Sequence, residues 1–584
     1  MEAMRSRGWF FWIVVVLAAL FAITLLTGYA VLRGLRAVPS VAYGSTLTFD
    51  VQGELPEEDF SGLGEAFFGV ERVTLRIVIE AIARAKGDPR IRSVVLHFRG
   101  ADFGWAKAEE IRAAIAGFKT SGKKVVAYFE GGSNLDYFVA TAADAVYLHP
   151  QGVLDVRGLA AEVTFWKGTL DKLGIVAEFE QIGRYKNAPD TLTRDGMSAP
   201  HREAVEAIVD DFHGLLIDSI ATARKMEPEA VAALLSEGPF TAAKAKEAGL
   251  VDELLYEDEV EAKVTGEDEE FTPVTLANYH LARQDSFHFG SRPRVALIYG
   301  EGAIVSGESD DDPFFGRVMG ADTIGEAFQD AREDDAVKAV VFRINSPGGS
   351  DIASDVIWRE AALTLEEKPV IVSMSDVAAS GGYWIATASE AIVAERTTLT
   401  GSIGIYGGKF SLEGLYRKIG ARVETVERGE SGDFWTSSRR FTERERARLR
   451  EILEAGYARF LEKVAESRDK DVDEVYALGQ GRVWTGARAL ENGLVDELGG
   501  LERAVALAKE KADIPAERAI DLEVYPTKKG LWELLARRLT TSAPAESAAT
   551  YLLNPKRLIA RSPVLRLLVN EPRLALMPWR LSVR

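Results

Sequence analysis

The chain has 584 residues, of which 47% are hydrophobic and 27% are charged, and its formal net charge is −19. This composition is that of an ordinary globular protein and excludes collagen-like, coiled-coil and disordered classes. The acidic balance argues against a general nucleic-acid-binding protein, which normally has a basic surface. The sequence has no cysteine, which excludes disulfide scaffolds, thiol catalysis and cysteine-based zinc sites.

The first predicted element is a membrane anchor. Residues Trp9 to Leu32 form a run of 24 positions without a charge. A helix of that length measures about 36 Å, enough to span a hydrocarbon core of about 30 Å. The run is longer than the apolar core of a cleaved signal peptide, about 7–15 residues, so we expect it to be retained. Arginines flank the run on both sides and leave its orientation open, while the short tail at residues 1–8 favours export of the body.

The body of the chain is a tandem duplication. Segments of the first half recur 246 residues later; for example, Ser93–Phe98 matches Ala339–Ile344. An offset that stays constant over about 100 residues indicates one duplicated unit. The sequence therefore predicts an N-terminal repeat at residues 45–290 and a C-terminal repeat at residues 292–525.

Each repeat alternates short apolar strands with amphipathic helices. Strands separated by helices indicate right-handed βαβ units and a mainly parallel sheet. The predicted fold class is therefore α/β, in two copies. The predicted strands and helices are Ser93–Phe98, Ala108–Phe118, Lys124–Phe129 and Glu203–Arg224 in the first repeat, and Ala339–Ile344, Ser354–Leu365, Val370–Met374 and Glu443–Ser467 in the second.

Comparison of the two repeats singles out a serine and a lysine. Ser380 lies in an Ala-Ser-Gly-Gly turn, and at the 246-residue offset the first repeat has Asn134. Lys186 of the first repeat falls opposite Gly432. A serine hydroxyl is a poor nucleophile until a base removes its proton, and the second repeat contains no histidine. Lysine is the natural substitute, because burial can lower its pKa toward neutrality.

Glycines in the same turns are candidate donors to a developing oxyanion. Gly348 lies in Asn-Ser-Pro-Gly-Gly, and Gly381 directly follows Ser380. Without side chains, both allow a substrate backbone to approach their N–H groups. Each motif alone is ordinarily a turn or a helix cap, and a lone lysine is ordinarily a solvated charge. Their complementary distribution between two matching repeats is what favours one shared catalytic site.

Four motifs occur in order along the chain: Tyr-Lys in the first repeat, then Asn-Ser-Pro-Gly-Gly, Asp-Val-Ala-Ala-Ser-Gly-Gly-Tyr and Gly-Ser-Ile-Gly in the second. Over about residues 5–525 the chain resembles the signal peptide peptidase A family, in its long, duplicated, membrane-anchored form also called protease IV. The resemblance implies a Clp-protease/crotonase-like fold in each repeat. It also implies that Ser380 is the nucleophile, that Lys186 is the general base and that Ser402 orients the lysine amine.

The resemblance further implies a membrane-anchored serine endopeptidase that degrades remnant signal peptides and other apolar peptides. Such proteins form homotetramers in the bacterial inner membrane, with the catalytic body facing the periplasm. The dyad chemistry requires no metal or organic cofactor. Three alternatives stay open. A crotonase-like acyl-CoA enzyme would need neither Lys186 nor an anchor; the second alternative is a catalytically decayed membrane scaffold, and the third is a peptidase that faces the cytoplasm.

The C-terminal extension, residues 528–584, lies outside this resemblance. It contains 11 Lys and Arg against three Glu, a local net charge of +8, and interleaves leucine with arginine. Such a basic amphipathic surface is typical of segments that lie on anionic lipid headgroups. A docking helix that packs on the body or on a neighbouring subunit is the equal alternative.

Overall fold

The computed structural model describes residues 39–58, 73–266, 270–282, 292–312, 316–526 and 573–577, together with Leu20, Ile23 and Thr24. Nearly all of the predicted anchor at residues 9–32 and most of the predicted extension at residues 528–584 lie outside the described residues. Within the described ranges, no helix is both long and apolar enough to cross a membrane. The described chain is a mixed α/β protein, as the sequence predicts.

The first half alternates strands and helices, and its four sequence-predicted elements lie within Ile91–Ala101, Trp105–Lys119, Lys124–Gly132 and Ala199–Arg224. Its strands are β1 (Ser45–Gly53), β2 (Ile91–Ala101), β3 (Lys124–Gly132), β4 (Ala145–Leu154), β5 (Val176–Ile182), β6 (Phe240–Thr241), β7 (Glu253–Leu254) and β8 (Pro273–Thr275). Its helices are α1 (Leu75–Gly87), α2 (Trp105–Lys119), α3 (Asn134–Ala140), α4 (Lys167–Leu173), α5 (Asp190–Thr193), α6 (Ala199–Arg224), α7 (Pro228–Glu237), α8 (Ala242–Glu247), α9 (Glu257–Thr265) and α10 (Leu276–Leu281).

The second half follows the same plan, and its predicted elements lie within Val337–Ser346, Asp351–Leu365, Val370–Ala379 and Glu443–Arg468. Its strands are β9 (Arg294–Glu301), β10 (Ala303–Val305), β11 (Asp310–Asp312), β12 (Gly316–Gly320), β13 (Val337–Ser346), β14 (Gly348–Ser350), β15 (Val370–Ala379), β16 (Ala391–Ala394), β17 (Leu399–Gly401), β18 (Ile405–Ser411), β19 (Val483–Thr485), β20 (Glu497–Leu498), β21 (Asp521–Tyr525) and β22 (Leu574–Leu576). Its helices are α11 (Ala321–Glu333), α12 (Asp351–Leu365), α13 (Gly381–Ala386), α14 (Glu413–Ile419), α15 (Glu443–Arg468), α16 (Val472–Leu478), α17 (Gly486–Glu491) and α18 (Leu501–Lys511).

The two halves build sheets of the same strand order. The first sheet runs β6-β4-β3-β2-β1-β8, and the second runs β19-β17-β15-β13-β9-β21. The central pairs are parallel in both: β2 with β1 and β3, and β13 with β9 and β15. The long helices α6 and α15 have 26 residues each and hold the same place in their halves. This correspondence is what a duplicated unit produces.

The central strands of the second sheet position the loops that carry the candidate site. Val340, Val341 and Ile344 of β13 are all buried, because helices cover both faces of the sheet, and this explains the continuous apolar run. Since β13 and β15 are parallel neighbours, they end at the same edge. Gly348 lies two residues after the end of β13 and Ser380 directly follows the end of β15, so the topology brings these two residues together.

A third sheet joins the two halves. Its strand order is β11-β12-β10-β14-β22-β18-β5. Strand β5, from the first half, runs antiparallel to β18 of the second, with Ile182 opposite Ile405 and Val176 opposite Ser411. Main-chain hydrogen bonds fix the register of this pairing residue by residue. The β5–β18 pairing therefore determines where the loop after β5 lies against the second half.

The described part of the C-terminal extension is a strand. β22 pairs antiparallel with β14 and also contacts β18, and both Leu574 and Ala575 are buried. Residues 573–577 therefore pack on the body, as the docking alternative predicts, but as a strand rather than a helix. The rest of the extension, on which the lipid-surface prediction mainly rests, lies outside the described residues. Three residues are too few to show the alternating pattern that identifies a strand in a sequence.

A buried ionic cluster connects the two halves beneath the site. The Arg343 guanidinium, on β13, donates to Glu57 at 3.0 Å and to Glu110 at 2.5 Å. Lys107 Nζ lies 3.4 Å from Glu57 and 3.9 Å from Asp376. Burial by itself would raise the pKa of Glu57, but the charges of Arg343 and Lys107 outweigh burial and hold that pKa at about 2. The cluster therefore keeps Glu57 ionised inside the protein.

Replacing Arg343 with methionine is expected to destabilise the protein by about 3–5 kcal/mol, because the buried Glu110 loses its cationic partner and Glu57 keeps only Lys107. Urea and thermal unfolding measure the loss. The matched control, Arg448→Met, removes an exposed ion pair with Glu451 and is expected to cost less than about 1 kcal/mol. Equal losses in the two variants would contradict a structural role for the buried cluster.

Candidate active site

Ser380 lies at a strained turn between β15 and α13. Its φ is +57° and its ψ is −114°, a conformation that is uncommon for a residue with a side chain. Its backbone N–H donates to the Gly401 carbonyl at 2.8 Å, and its carbonyl accepts from the Trp384 N–H at 2.9 Å. The Ser380 hydroxyl makes no helix-capping hydrogen bond, so it is available to another partner.

The corresponding turn of the first half uses a serine differently. Ser133 is the N-cap of α3, with an ordinary φ of −86°. Its hydroxyl accepts from the Asp136 N–H at 3.2 Å and donates to Asp136 Oδ2 at 2.8 Å. The constant offset places Asn134 opposite Ser380, whereas the cap position is occupied by Ser133, one residue earlier. The first half therefore has a serine at this turn, but its hydroxyl is committed to capping the helix.

Lys186 follows β5 in a loop that packs on the second half. The N–H of the adjacent Tyr185 donates to the Gln480 carbonyl at 2.8 Å. Gly481 lies against the lysine backbone, since a methyl group on Gly481 would come within 2.5 Å of Lys186 Cα. These backbone contacts, together with the β5–β18 pairing, direct the lysine side chain into the other half of the molecule.

The Lys186 amine and the Ser380 hydroxyl are in direct contact. Lys186 Nζ lies 2.7 Å from Ser380 Oγ, and 3.0 Å from both the carbonyl oxygen and the Oγ of Ser402. Ser402 directly follows β17 with a φ of +50°, and its N–H donates to the Arg482 carbonyl at 2.7 Å. The side chains of all three residues are 0% exposed. The structure thus brings the three motif residues into one buried cluster.

Burial lowers the pKa of the Lys186 ammonium well below its ordinary value of 10.5. No carboxylate of the described residues offsets this shift in pKa. In its neutral form the amine has one lone pair, which can accept the Ser380 O–H, and two N–H bonds, which can donate to Ser402. The arrangement can therefore take the proton from the serine hydroxyl.

Gly348, in the turn after β13, and Gly381, the first residue of α13, lie next to each other in space. Gly348 has a φ of +94°, and a methyl group on it would lie 2.7 Å from Gly381 N. The Gly348 N–H donates to Ser346 Oγ at 3.1 Å, and that hydroxyl donates to the Gly302 carbonyl at 2.7 Å. Ser346 thus holds the turn in place, a role that the sequence comparison did not assign.

Two further features of the site were not predicted. The carbonyl oxygen of Ala575, on β22, lies against Gly348. Asn187, next to Lys186, is 1% exposed, and neither polar atom of its side chain has a hydrogen-bond partner among the described residues. The sequence signal for Asn187 was only its place in the Tyr-Lys-Asn motif, and β22 had no sequence signal.

Comparison with known proteins assigns the family. The pattern of peptidase family S49 matches the chain twice, at residues 117–269 and 362–515. The chain belongs to peptidase family S49. The first S49 match contains Lys186 and the second contains Ser380, Gly381 and Ser402. Since the family consists of peptidases, the assignment decides against the acyl-CoA alternative.

Three relatives match most of the chain. The chloroplastic serine protease SPPA of Arabidopsis thaliana is 36% identical over 491 residues, which is 82% of this chain and 71% of the relative. Protease 4 of Haemophilus influenzae is 33% identical over 503 residues, 80% of each chain. Protease 4 of Salmonella typhi is 32% identical over 527 residues, 85% of this chain and 83% of the relative. The resemblance to the signal peptide peptidase A (protease IV) family is confirmed, and this S49 protein is a serine peptidase.

Proposed function

We propose that the protein hydrolyses peptide bonds with a Ser380–Lys186 dyad shared between its two repeats. The observation that carries the proposal is the 2.7 Å hydrogen bond between a buried lysine amine and a serine hydroxyl. We further propose that each repeat has the Clp-protease/crotonase-like fold implied by the family resemblance. A mainly parallel sheet with helices between its strands, present in both halves, supports this fold assignment.

The proposed reaction has two steps. In acylation, neutral Lys186 takes the Ser380 proton while Oγ attacks the peptide carbonyl carbon. The lysine ammonium then gives that proton to the leaving amine as the C–N bond breaks, which leaves an ester on Ser380. In deacylation, Lys186 takes a proton from the water that attacks the ester; the bond from Oγ to the acyl carbon breaks, the lysine ammonium returns the proton to Ser380 Oγ, and the carboxylic acid product leaves and ionises. Ser402, at 3.0 Å, orients the lysine amine toward the nucleophile.

The N–H groups of Gly348 and Gly381 are the proposed donors to the oxyanion. In the described structure, the Gly348 N–H makes a 3.1 Å bond to the neutral Ser346 hydroxyl. A hydrogen bond to a charged oxygen is shorter and about twice as strong. We therefore expect this N–H to turn from Ser346 toward the oxyanion as charge develops on the substrate.

We propose remnant signal peptides and other apolar peptides as the substrates. Beside the candidate site, the third sheet contributes an apolar cluster that includes Val305, Val318 and Tyr406. These side chains can bury leucine or valine side chains of an extended peptide, at about 25 cal/mol for each Å² removed from water. Signal peptides are rich in such side chains, so the chemistry of the cluster matches this class of peptide.

We propose that residues 9–32 anchor the protein in the bacterial inner membrane, with the catalytic body in the periplasm, and that four copies assemble. The uncharged run in the sequence and the family resemblance support this arrangement. A reporter fused after Arg584 tests the orientation, and light scattering of the detergent-solubilised protein tests the subunit count. Reporter activity on the cytoplasmic side would show that the peptidase faces the opposite compartment.

Full-length protein in detergent tests the proposed activity. We expect it to hydrolyse a synthetic leader peptide and casein, and to react with a serine-directed phosphonate probe. Peptide mapping by mass spectrometry is expected to find the label on Ser380. A folded protein that neither cleaves these substrates nor takes the label would instead be the decayed scaffold.

The pH dependence of hydrolysis is expected to follow the lysine. Because burial lowers the pKa of Lys186 well below 10.5, kcat/KM should rise with pH as the amine loses its proton. Half of the maximal rate is expected at a pH well below 10.5, measured with an uncharged peptide between about pH 5 and about pH 11. A midpoint near the ordinary lysine value would indicate a solvated amine and contradict the proposed base.

A further inference from the structure

Strand β22 fills a slot in the third sheet that is one strand wide. In the order β14-β22-β18, the C-terminal segment separates two strands that both belong to the catalytic half. Neighbouring strands lie about 4.8 Å apart, so without β22 the strands β14 and β18 would be separated by about 10 Å. β14 and β18 would then each have unpaired backbone N–H and C=O groups facing the gap. A single extended peptide could pair with both strands and so join the sheet as an added strand.

The strand lies directly over the candidate oxyanion donors. Gly349 is the antiparallel partner of Ala575, and the Met577 N–H donates to the Pro347 carbonyl at 2.6 Å. The Ala575 carbonyl oxygen would overlap a methyl group on Gly348 and would lie 3.0 Å from one on Gly381. The Ala575 carbonyl oxygen therefore lies beside both glycines that carry the candidate oxyanion donors.

Side-chain contacts hold the strand in this register. Leu574 is 1% exposed and packs in the apolar cluster with Val305, Val318 and Tyr406. On the N-terminal side, Arg573 Nε lies 2.8 Å from Asp351 Oδ2. An apolar side chain in a pocket, an ion pair and main-chain pairing are the features of a specifically bound peptide.

The segment does not belong to the duplicated unit. The second S49 match ends at residue 515, and β21, the last strand of the second sheet, ends at Tyr525. The strand is therefore an addition to the catalytic body, and it occupies the place where the proposed function requires a substrate.

We propose that residues 573–577 are an intramolecular occupant of the peptide-binding slot, held in the register of a substrate with Ala575 at the scissile position, so that substrate must displace them. This inference rests on the proposed peptidase function. It also specifies the peptides that the slot accepts: a small residue at the scissile carbonyl, preceded by an aliphatic residue that fills the Leu574 pocket.

Two shortened proteins test the occupancy. A protein ending at residue 572 lacks the strand, and a protein ending at residue 577 keeps it and serves as the matched control. If the strand fills the slot nine-tenths of the time, its removal is expected to lower the KM for a leader peptide about tenfold, with kcat unchanged. The control is expected to behave like the full-length protein. An unchanged KM in the protein ending at residue 572 would overturn the proposal.

A substitution and a peptide give a second test that leaves chain length intact. Leu574→Asp in the full chain places a carboxylate in the apolar pocket and is expected to lower KM as the deletion does, whereas Leu581→Asp, beyond the strand, is the control. A synthetic peptide of residues 571–579 should inhibit the shortened enzyme competitively, and the same peptide with L574D should not. Failure of both peptides to compete would overturn the proposal, and so would cleavage of the parent peptide at any bond other than Ala575–Leu576.

These outcomes are separate from failure of the peptidase function. If the protein ending at residue 572 hydrolyses the leader peptide with an unchanged KM, the occupancy is wrong and the peptidase stands. If that protein is folded but neither hydrolyses peptide nor takes the serine-directed probe, the peptidase proposal itself fails, and the inference about residues 573–577 fails with it.

Discussion

Replacing Lys186 with methionine is expected to reduce kcat/KM for a leader peptide by about 10⁴-fold or more, as losses of this size follow removal of a member of a catalytic triad. Methionine has a similar length but no proton-accepting nitrogen, so Ser380, at 2.7 Å from the amine in the native protein, loses its base. Ser380→Ala is expected to be equally inactive. Lys186→Arg should also fail, because a guanidinium keeps its proton at working pH.

Lys244→Met is the matched control, since Lys244 is an exposed lysine of the same half. It is expected to keep full activity. Circular dichroism and thermal unfolding check that every variant is folded. Full activity in Lys186→Met or Ser380→Ala would end the dyad assignment, whereas equal losses in Lys186→Met and Lys244→Met would point to a general effect of removing lysine charge.

The variant Lys186→Met is expected to be more stable than the native protein at neutral pH. Burial lowers the folded-state pKa of Lys186, so between that pKa and 10.5 the unfolded chain binds one more proton than the folded chain. Native stability therefore rises with pH across this window. The advantage of Lys186→Met should shrink as pH increases from about 7 to about 10, as measured by thermal unfolding. An advantage that grows with pH would contradict the direction of the pKa shift.

The second large effect is expected from Gly348→Ala. The added methyl group would lie 2.7 Å from Gly381 N, in the space where the oxyanion is proposed to bind. Loss of one oxyanion donor typically lowers kcat by about 100- to 1000-fold, and we expect at least this reduction here. Steady-state kinetics on a leader peptide measure the change, which is expected mainly in kcat rather than in KM.

Gly429→Ala separates the chemical effect from backbone strain. Gly429 has a φ of +86°, close to the +94° of Gly348, but no atom lies within 4 Å of an added methyl group. Both alanines therefore carry a similar conformational cost, about 1–2 kcal/mol. The control is expected to lose stability without losing kcat. If both variants lose kcat equally, the oxyanion role of Gly348 is wrong.

The secondary structure around the site was predictable because its physical cause is local. Buried parallel strands need continuous apolar runs, and the runs at residues 339–344 and 370–374 lie within β13 and β15. The serine and the lysine were also predictable, since duplication allows each repeat to serve as a reference for the other. The constant offset of 246 residues is wrong by one residue at the first-half turn. It pairs Ser380 with Asn134, whereas the N-cap of α3, the structural counterpart of Ser380, is Ser133.

The contacts between distant segments were not predictable. The pairing of β5 with β18 joins residues that are more than 220 positions apart, and many strands of similar composition compete for such a partner. The salt bridges from Arg343 to Glu57 and Glu110 are equally distant along the chain. The C-terminal strand β22 was not predicted, because three residues carry no strand pattern and its main-chain partners come from β14 and β18.

The amino-acid sequence by itself determined the duplication, the α/β class, the peptidase family and the identity of the candidate nucleophile and base. The fold class depends on residue type and local spacing, whereas the duplication, the family and the candidate residues depend on motifs that recur or follow one another along the chain. Only the tertiary structure decided that Lys186 reaches Ser380 within one chain, that Ser402 completes the cluster and that β22 lies between β14 and β18. Those facts depend on which strands pair and on what becomes buried, and burial is also the physical reason that a lysine can act there as a base.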